Sequence, residues 1–371
     1  MRKKFIAISI AMMTALLCAC GNNTQGDETV ENNTVNETTE TGMSEEDMSM
    51  FASGIATDDS EGVNAEESQE TSANEAIVLN NEIEETCPTS VTTRRAGVDY
   101  SDYTHGTYYS ETCGMERGYS IILPGDYSED KQYPVLYLLH GIFGNEYSFS
   151  SDSNNKIREI VANMAADGLI EETIIVCPNM YAATDASQQP AFNAEACLPY
   201  DNFINDLVND LMPYIESKYS VLTGRENTYL AGFSMGGRET IFITLQRPEL
   251  FGYVCAISAA PGIVPTTDGF MTHPGQMTEP EMKFAEDAIE PNVFIICCGT
   301  NDSVVGTYPK SYHELLDTNG SDHIWYEING ADHDIYRVWL VRTCTLENLE
   351  ALLGSKLRVD RTQGQRWAGS V

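Results

Sequence analysis

Past about Tyr100 the chain settles into a repeated alternation. Short unbroken apolar runs of strand length are separated by longer stretches whose apolar residues recur every three or four positions. The runs are residues 135–139, 173–177, 228–231, 253–257, 293–298 and 323–327. Continuous rather than alternating apolar character fits strands buried on both faces. Between them the helical period predicts helices over 155–166, 203–217, 235–246, 312–318 and 337–353. Asp201 or Asn202 is placed to cap the second, and Pro248 closes the third. Residues 119–124 predict an antiparallel strand that opens the sheet at its edge. Such alternation builds a mainly parallel sheet with helices on both faces, an α/β fold spanning about residues 96–355.

The first 95 residues read differently. Arg2, Lys3 and Lys4 precede an apolar stretch over 5–17 that is too short to span a bilayer comfortably, the form of a secretory signal over residues 1–20. Cys20 follows the small Ala19 and precedes Gly21, which resembles a bacterial lipobox; Cys18 follows bulky Leu17 and does not. The resemblance implies a diacylglyceryl anchor on Cys20 and a lipid-anchored protein at the bacterial cell surface. The alternative is an ordinary cleaved signal and a secreted protein. From Gly21 to Thr93 there are 18 acidic residues, no Lys or Arg, and one aromatic, Phe51. A segment so poor in apolar surface does not offset its ordering entropy, so residues 21–95 read as a disordered acidic tether with a span of roughly 50 Å.

Charge then excludes one class of partner. The 371 residues carry 21 Lys+Arg against 56 Asp+Glu, a formal charge of −35. About half of that deficit lies in the tether, and no basic face for nucleic acid comes from such a balance. Ten Cys in so long a chain make no disulfide miniprotein, and no CxxC pair suggests a zinc site. Cys177, Cys255, Cys297 and Cys298 fall in strand runs and read as small apolar fillers; Cys87, Cys113, Cys197 and Cys344 have no assignable pairing.

The chemistry concentrates on one serine. Gly232-Phe233-Ser234-Met235-Gly236 matches G-x-S-x-G between a strand ending near Ala231 and a helix beginning near Met235. In that context the pattern is a nucleophile elbow, lifting the hydroxyl above the sheet at a helix N-terminus. A serine hydroxyl is a weak nucleophile and needs an imidazole base, itself held by a carboxylate, in the chain order Ser, acid, His. His333 lies in the loop after the last strand run and is the expected base, whereas His323 begins that run and reads as structural. Asp302 lies just past the buried run 293–298, at the carboxyl end where this architecture places its site. Asp332 and Asp334 adjoin His333 only in sequence, and Asp317 reads as a helix surface charge. Oxyanion donors are expected from the N–H of Met235 and from the loop 139–144, with Ile142 first and Phe143 as the alternative. His140 precedes the serine and reads as a residue that fixes this loop. No metal and no organic cofactor is needed.

Together the segments 137–141, 232–237, 298–302 and 332–333 resemble an α/β-hydrolase of the feruloyl esterase/esterase D group, the carbohydrate esterase family 1-like fold. The stretch 200–261 is especially similar to bacterial feruloyl esterase domains attached to xylan-degrading enzymes, and the likeness covers about 97–353. It implies Ser234 as nucleophile, His333 as base, Asp302 as its orienter, and Ile142 and Met235 as oxyanion donors. It also implies hydroxycinnamoyl esters on plant xylan as the polysaccharide substrate, with acetylated xylan or other acyl esters as rivals. An aromatic acyl group needs an apolar slot, for which Phe143, Phe192, Tyr200 and Trp339 are candidates. Phe143 stands where many relatives carry a small residue. A competing class, a lipoprotein that only binds glycans, has no use for an intact Ser-Asp-His set. The basic tail 356–371 falls outside the likeness.

Overall fold

The computed structural model describes residues 89–151, 155–168 and 170–333. The expected signal segment, Cys20, most of the tether, the helix over 337–353, Trp339, Cys87, Cys344 and the tail 356–371 lie outside them.

The predicted runs form one eight-stranded sheet. Its members are β1 (Tyr103–Ser110), β2 (Met115–Ile122), β3 (Val135–Leu139), β4 (Ile174–Pro178), β5 (Thr228–Phe233), β6 (Tyr253–Ile257), β9 (Val293–Gly299) and β10 (Ile324–Ile328). A separate small hairpin pairs β7 (Thr266–Thr267) with β8 (Thr272–His273). The strand order is β1-β2-β4-β3-β5-β6-β9-β10, parallel from β4 through β10. β2 runs antiparallel to both β1 and β4. The segment expected at the sheet edge is therefore second from it. The true edge, β1, is missed by periodicity because its residues are largely polar and half exposed.

Side chains alternate across each strand, so the unbroken apolar runs divide into two cores. Val135, Tyr137 and Leu139 of β3, with Leu230, Val254 and Ile296, meet Met235, Ile241 and Leu245 of the helix Met235–Gln246. Leu136 and Leu138, with Tyr229, Ala231 and Cys255, meet Ile157, Ile160 and Met164 of the helix Ile157–Ala166. The stretch expected as one helix over 203–217 comes in three parts: Phe203–Asp206, a wider π-helical turn Leu207–Leu211, and Met212–Lys218. Pro213 opens the third part, and having no N–H to give, it follows the widened turn. The helix expected over 312–318 begins earlier, at Tyr308–Asn319.

Packing reaches back beyond the expected boundary at residue 96. A turn of helix Thr89–Thr92 buries Val91, and Asn163 donates from its amide to the carbonyls of Val91 and Thr93. Arg95 forms a salt bridge with Asp167 at 3.0 Å. Cys113 and Cys197 are buried free thiols, as are Cys177, Cys255, Cys297 and Cys298.

Candidate active site

The tight turn between β5 and the following helix is written in its glycines. Ser234 sits at φ 56° and ψ −117°, a left-handed conformation that costs a non-glycine residue about 1–3 kcal/mol. Its backbone is clamped on both sides: its N–H donates to Ile257 O at 2.9 Å, and its carbonyl accepts from Ala260 and Arg238 N–H at 3.0 Å. A Cβ on Gly232 would lie 2.2 Å from Gly236 O, and one on Gly236 would lie 2.2 Å from Leu139 O. Only glycine at both places lets strand, turn and helix approach so closely.

The acid and the base arrive from neighbouring strands. Asp302 follows β9 and His333 follows β10, and the two loops are stitched together. Asn301 N–H donates to Ala331 O at 2.9 Å, and the Asp332 carboxylate accepts from Ser303 N–H and Oγ at 3.0 and 2.9 Å. Asp332 thus holds the loops rather than the imidazole. His333 Nε2 stands 3.1 Å from Ser234 Oγ, and its Nδ1 stands 3.1 and 2.9 Å from the two Asp302 oxygens. The Asp302 carboxylate also accepts N–H groups from Val304 and Val305 at 3.1 and 3.0 Å. Burial pushes its pKa up, but His333 and the Val305 N–H outweigh it, and the net direction is down. An ionised Asp302 fixes the proton of His333 on Nδ1, leaving Nε2 to accept from the serine. The Phe233 ring packs on the imidazole with centroids 4.7 Å apart.

Of the expected oxyanion donors, Ile142 and Met235 both line the cleft beside Ser234. As first residue of its helix, Met235 has no intrahelical acceptor for its N–H. Phe143, the alternative, gives its N–H to Tyr200 Oη at 3.2 Å and is thereby taken out of contention. His140 anchors the same loop. Its Nδ1–H donates to Gly141 O at 2.7 Å and its Nε2 accepts from Met180 N–H at 3.0 Å. Burial lowers its pKa to about 4, so the ring stays neutral with the proton on Nδ1.

Ser234 opens into a cleft of about 420 Å³ whose walls include Ile142, Phe192, Pro261, Phe270, Met271, Val304 and Tyr308. Two expected slot residues need correction. Tyr200 is fully buried and supports the 140–144 loop from behind; it does not face the cleft. Phe143 is not part of the wall either: it packs edge-on against Phe192, centroids 5.0 Å apart, and Phe192 supplies the lining surface. Phe270, Met271 and Tyr308 were not expected. Phe270 and Met271 sit at the tip of the β7–β8 hairpin, where Asp268 accepts both their N–H groups at 2.7 and 2.8 Å and pairs with His273 at 2.8 Å. Asp268-Gly269 is a turn-favouring pair, but the strands it joins are two residues each and too short to show a period.

A strained serine at a strand-to-helix turn, in line with a half-buried imidazole and a buried carboxylate on a mainly parallel sheet covered on both faces, defines an α/β-hydrolase. The chain belongs to the putative esterase family, whose model matches residues 110–307. A CE1 ferulic acid esterase from Anaeromyces mucronatus, solved with ferulic acid, is 46% identical at a TM-score of 0.64, covering 69% of this chain and 94% of that one. An endo-1,4-beta-xylanase/feruloyl esterase of Xylanibacter ruminicola is 33% identical over 164 residues, 43% of this chain. That match spans only 22% of the relative's own length. A feruloyl esterase module from Clostridium thermocellum, complexed with sinapinate, shares the fold at 20% identity and a TM-score of 0.50, covering 71% of this chain and 90% of the module.

Proposed function

We propose that the protein releases ferulate or a related hydroxycinnamate from ester-substituted plant cell-wall xylan, through an acyl-enzyme on Ser234. The observation that carries this reading is the line Ser234 Oγ, His333 Nε2, His333 Nδ1, Asp302, opening onto an aromatic cleft. In the first step Ser234 Oγ attacks the ester carbonyl carbon as its proton passes to His333 Nε2. The carbonyl oxygen gains the negative charge and takes hydrogen bonds from Ile142 and Met235 N–H. His333 then gives its proton to the departing sugar alkoxide, leaving the acyl group on Ser234. Water, deprotonated by His333, attacks that acyl group, and the acid leaves as the serine regains its proton. Losing one oxyanion donor typically costs about 10²–10³ in turnover, which gives the 140–144 loop its weight.

The flat walls made by Phe192 and Phe270, whose rings tilt by 35° with centroids 5.2 Å apart, suit an aromatic acid better than an acetyl group. The resemblance to relatives that carry ferulic acid or act on xylan points the same way. The test is to incubate the enzyme with an arabinoxylan bearing both esters and to measure both acids. Ferulate is expected to dominate, and Phe270→Ala should raise KM on methyl ferulate about 10-fold while barely changing hydrolysis of an acetate ester. Acetate release without ferulate would overturn the assignment in favour of an acetyl esterase.

The export signal and the Cys20 position support a lipid-anchored location at the cell surface, with the acidic segment as spacer. Cys20→Ala is then expected to move the protein from the membrane fraction to the medium. An unchanged membrane fraction would remove the anchor from the account.

A further inference from the structure

We propose that His313, Asp317 and His323 form a site for one divalent transition-metal ion of the zinc class, stapling the helix Tyr308–Asn319 to the start of β10. His313 and Asp317 are one helical turn apart and share a face, and Gly320, at φ 77°, ends the helix so that the chain turns back towards His323. Three donors of the type zinc prefers, two imidazoles and a carboxylate, then converge. His313 Nε2 lies 3.6 Å from Asp317 Oδ2, His323 Nε2 lies 3.9 Å from Asp317 Oδ1, and His313 Nδ1 lies 2.8 Å from His323 Nε2. An ion takes only one nitrogen of each ring, and with one ligand atom from each residue the three lie within 4.8 Å of one another. Ligand atoms at about 2.0–2.1 Å around a tetrahedral ion stand about 3.3–3.4 Å apart, so side-chain shifts of roughly an ångström complete three corners. Water takes the fourth.

Two surrounding contacts favour a built site over an accidental cluster. The His323 Nδ1–H donates to Ser321 O at 2.9 Å, which turns Nε2 and its lone pair towards the other donors, as a carbonyl commonly does behind a metal-bound imidazole. The His313 ring stacks on the Trp325 indole, centroids 5.2 Å apart and planes within 5°, which restricts its rotation. The His323 side chain is fully buried, whereas Asp317 is 47% exposed, giving an ion a way in from solvent. Without an ion, the His313–His323 hydrogen bond is a weaker form of the same staple.

The role is structural. The helix that bears His313 follows directly on the Asp302 loop, and β10 leads from His323 to His333. An ion here ties together, from their far ends, the two segments that carry the acid and the base, and it enters no step of ester hydrolysis.

The test uses full-length protein freed of metal by chelation and then given zinc sulfate. One equivalent should remain after dialysis, and Tm should rise by on the order of 5–10 °C at zinc a hundredfold above Kd. Copper(II), given in place of zinc, should quench Trp325 fluorescence, and Trp325→Phe should remove that quenching. Asp317→Asn and His313→Gln should each weaken zinc binding at least about 10-fold, with esterase activity retained. No retained zinc and no Tm shift in the native chain would overturn the proposal. So would a shift that survives both substitutions, which would place the ion elsewhere.

Discussion

Among single residues, Tyr200 supports the 140–144 loop from behind while being fully buried away from the cleft. Its hydroxyl accepts the N–H of Phe143, itself at φ 62°, next to Ile142, the proposed oxyanion donor. Removing that acceptor leaves a loop amide unpaired, at about 1 kcal/mol. Tyr200→Phe is therefore expected to lower kcat about 5- to 10-fold with KM nearly unchanged, because the loss falls on the transition state. Steady-state kinetics on methyl ferulate check this; an unchanged kcat would show that the loop holds its shape without the hydroxyl. From sequence Tyr200 reads as a substrate contact, because an aromatic residue near the motif is equally compatible with both faces of a loop. Ser234, Asp302 and His333, by contrast, are legible because strand-end loops in this architecture have only one place to deliver side chains. Trp339 falls outside the described residues.

Among elements, the central strands are legible and the periphery is not. β3, β5, β6 and β9 are buried on both faces, and an unbroken apolar run of strand length is stable only when both its sides are covered. β1 shows mostly polar residues because one side of an edge strand meets solvent. The helix Ala194–Asp201 carries Pro199 in its interior and little one-sided apolar character, so its period is hidden; the Asn193 side chain caps it by accepting Ala196 N–H. The elbow is the element on which the site depends most. A methyl on Gly236 would press on the Leu139 carbonyl and push the helix away from β3. Gly236→Ala is expected to cut kcat at least 100-fold or to lower Tm by several degrees, read by kinetics and thermal unfolding on one preparation. A variant with native activity and native Tm would contradict the close packing described.

At the scale of the whole molecule, buried polar ties connect the antiparallel flank to the catalytic half. Arg117 of β2 bridges Asp206 at 2.9 Å and the carbonyl of Tyr181, while Tyr108 of β1 donates to the same Asp206 at 2.6 Å. The 179–181 segment so held presents Met180 N–H to His140, and His140 holds the oxyanion loop. Beyond the nucleophile, buried Arg238 pairs with Glu239 at 2.9 Å and with Asp201 at 2.6 Å, locking the elbow helix to the helix that carries Tyr200. Arg238 and Glu239 are neighbours in the chain, but Arg117–Asp206 and Arg238–Asp201 join residues tens of positions apart, and such ion pairs leave no local pattern in the sequence. They form a rigid frame around one reactive hydroxyl, and the most direct measurement addresses that hydroxyl. Rapid-quench kinetics on a feruloylated arabinose ester, with peptide mapping of the trapped enzyme, should give a burst of alcohol equal to one turnover and a feruloyl group on Ser234. Folded Ser234→Ala should give neither, with turnover reduced by about 10⁶. A feruloyl adduct mapped to another residue, or hydrolysis persisting in that variant, would contradict the account.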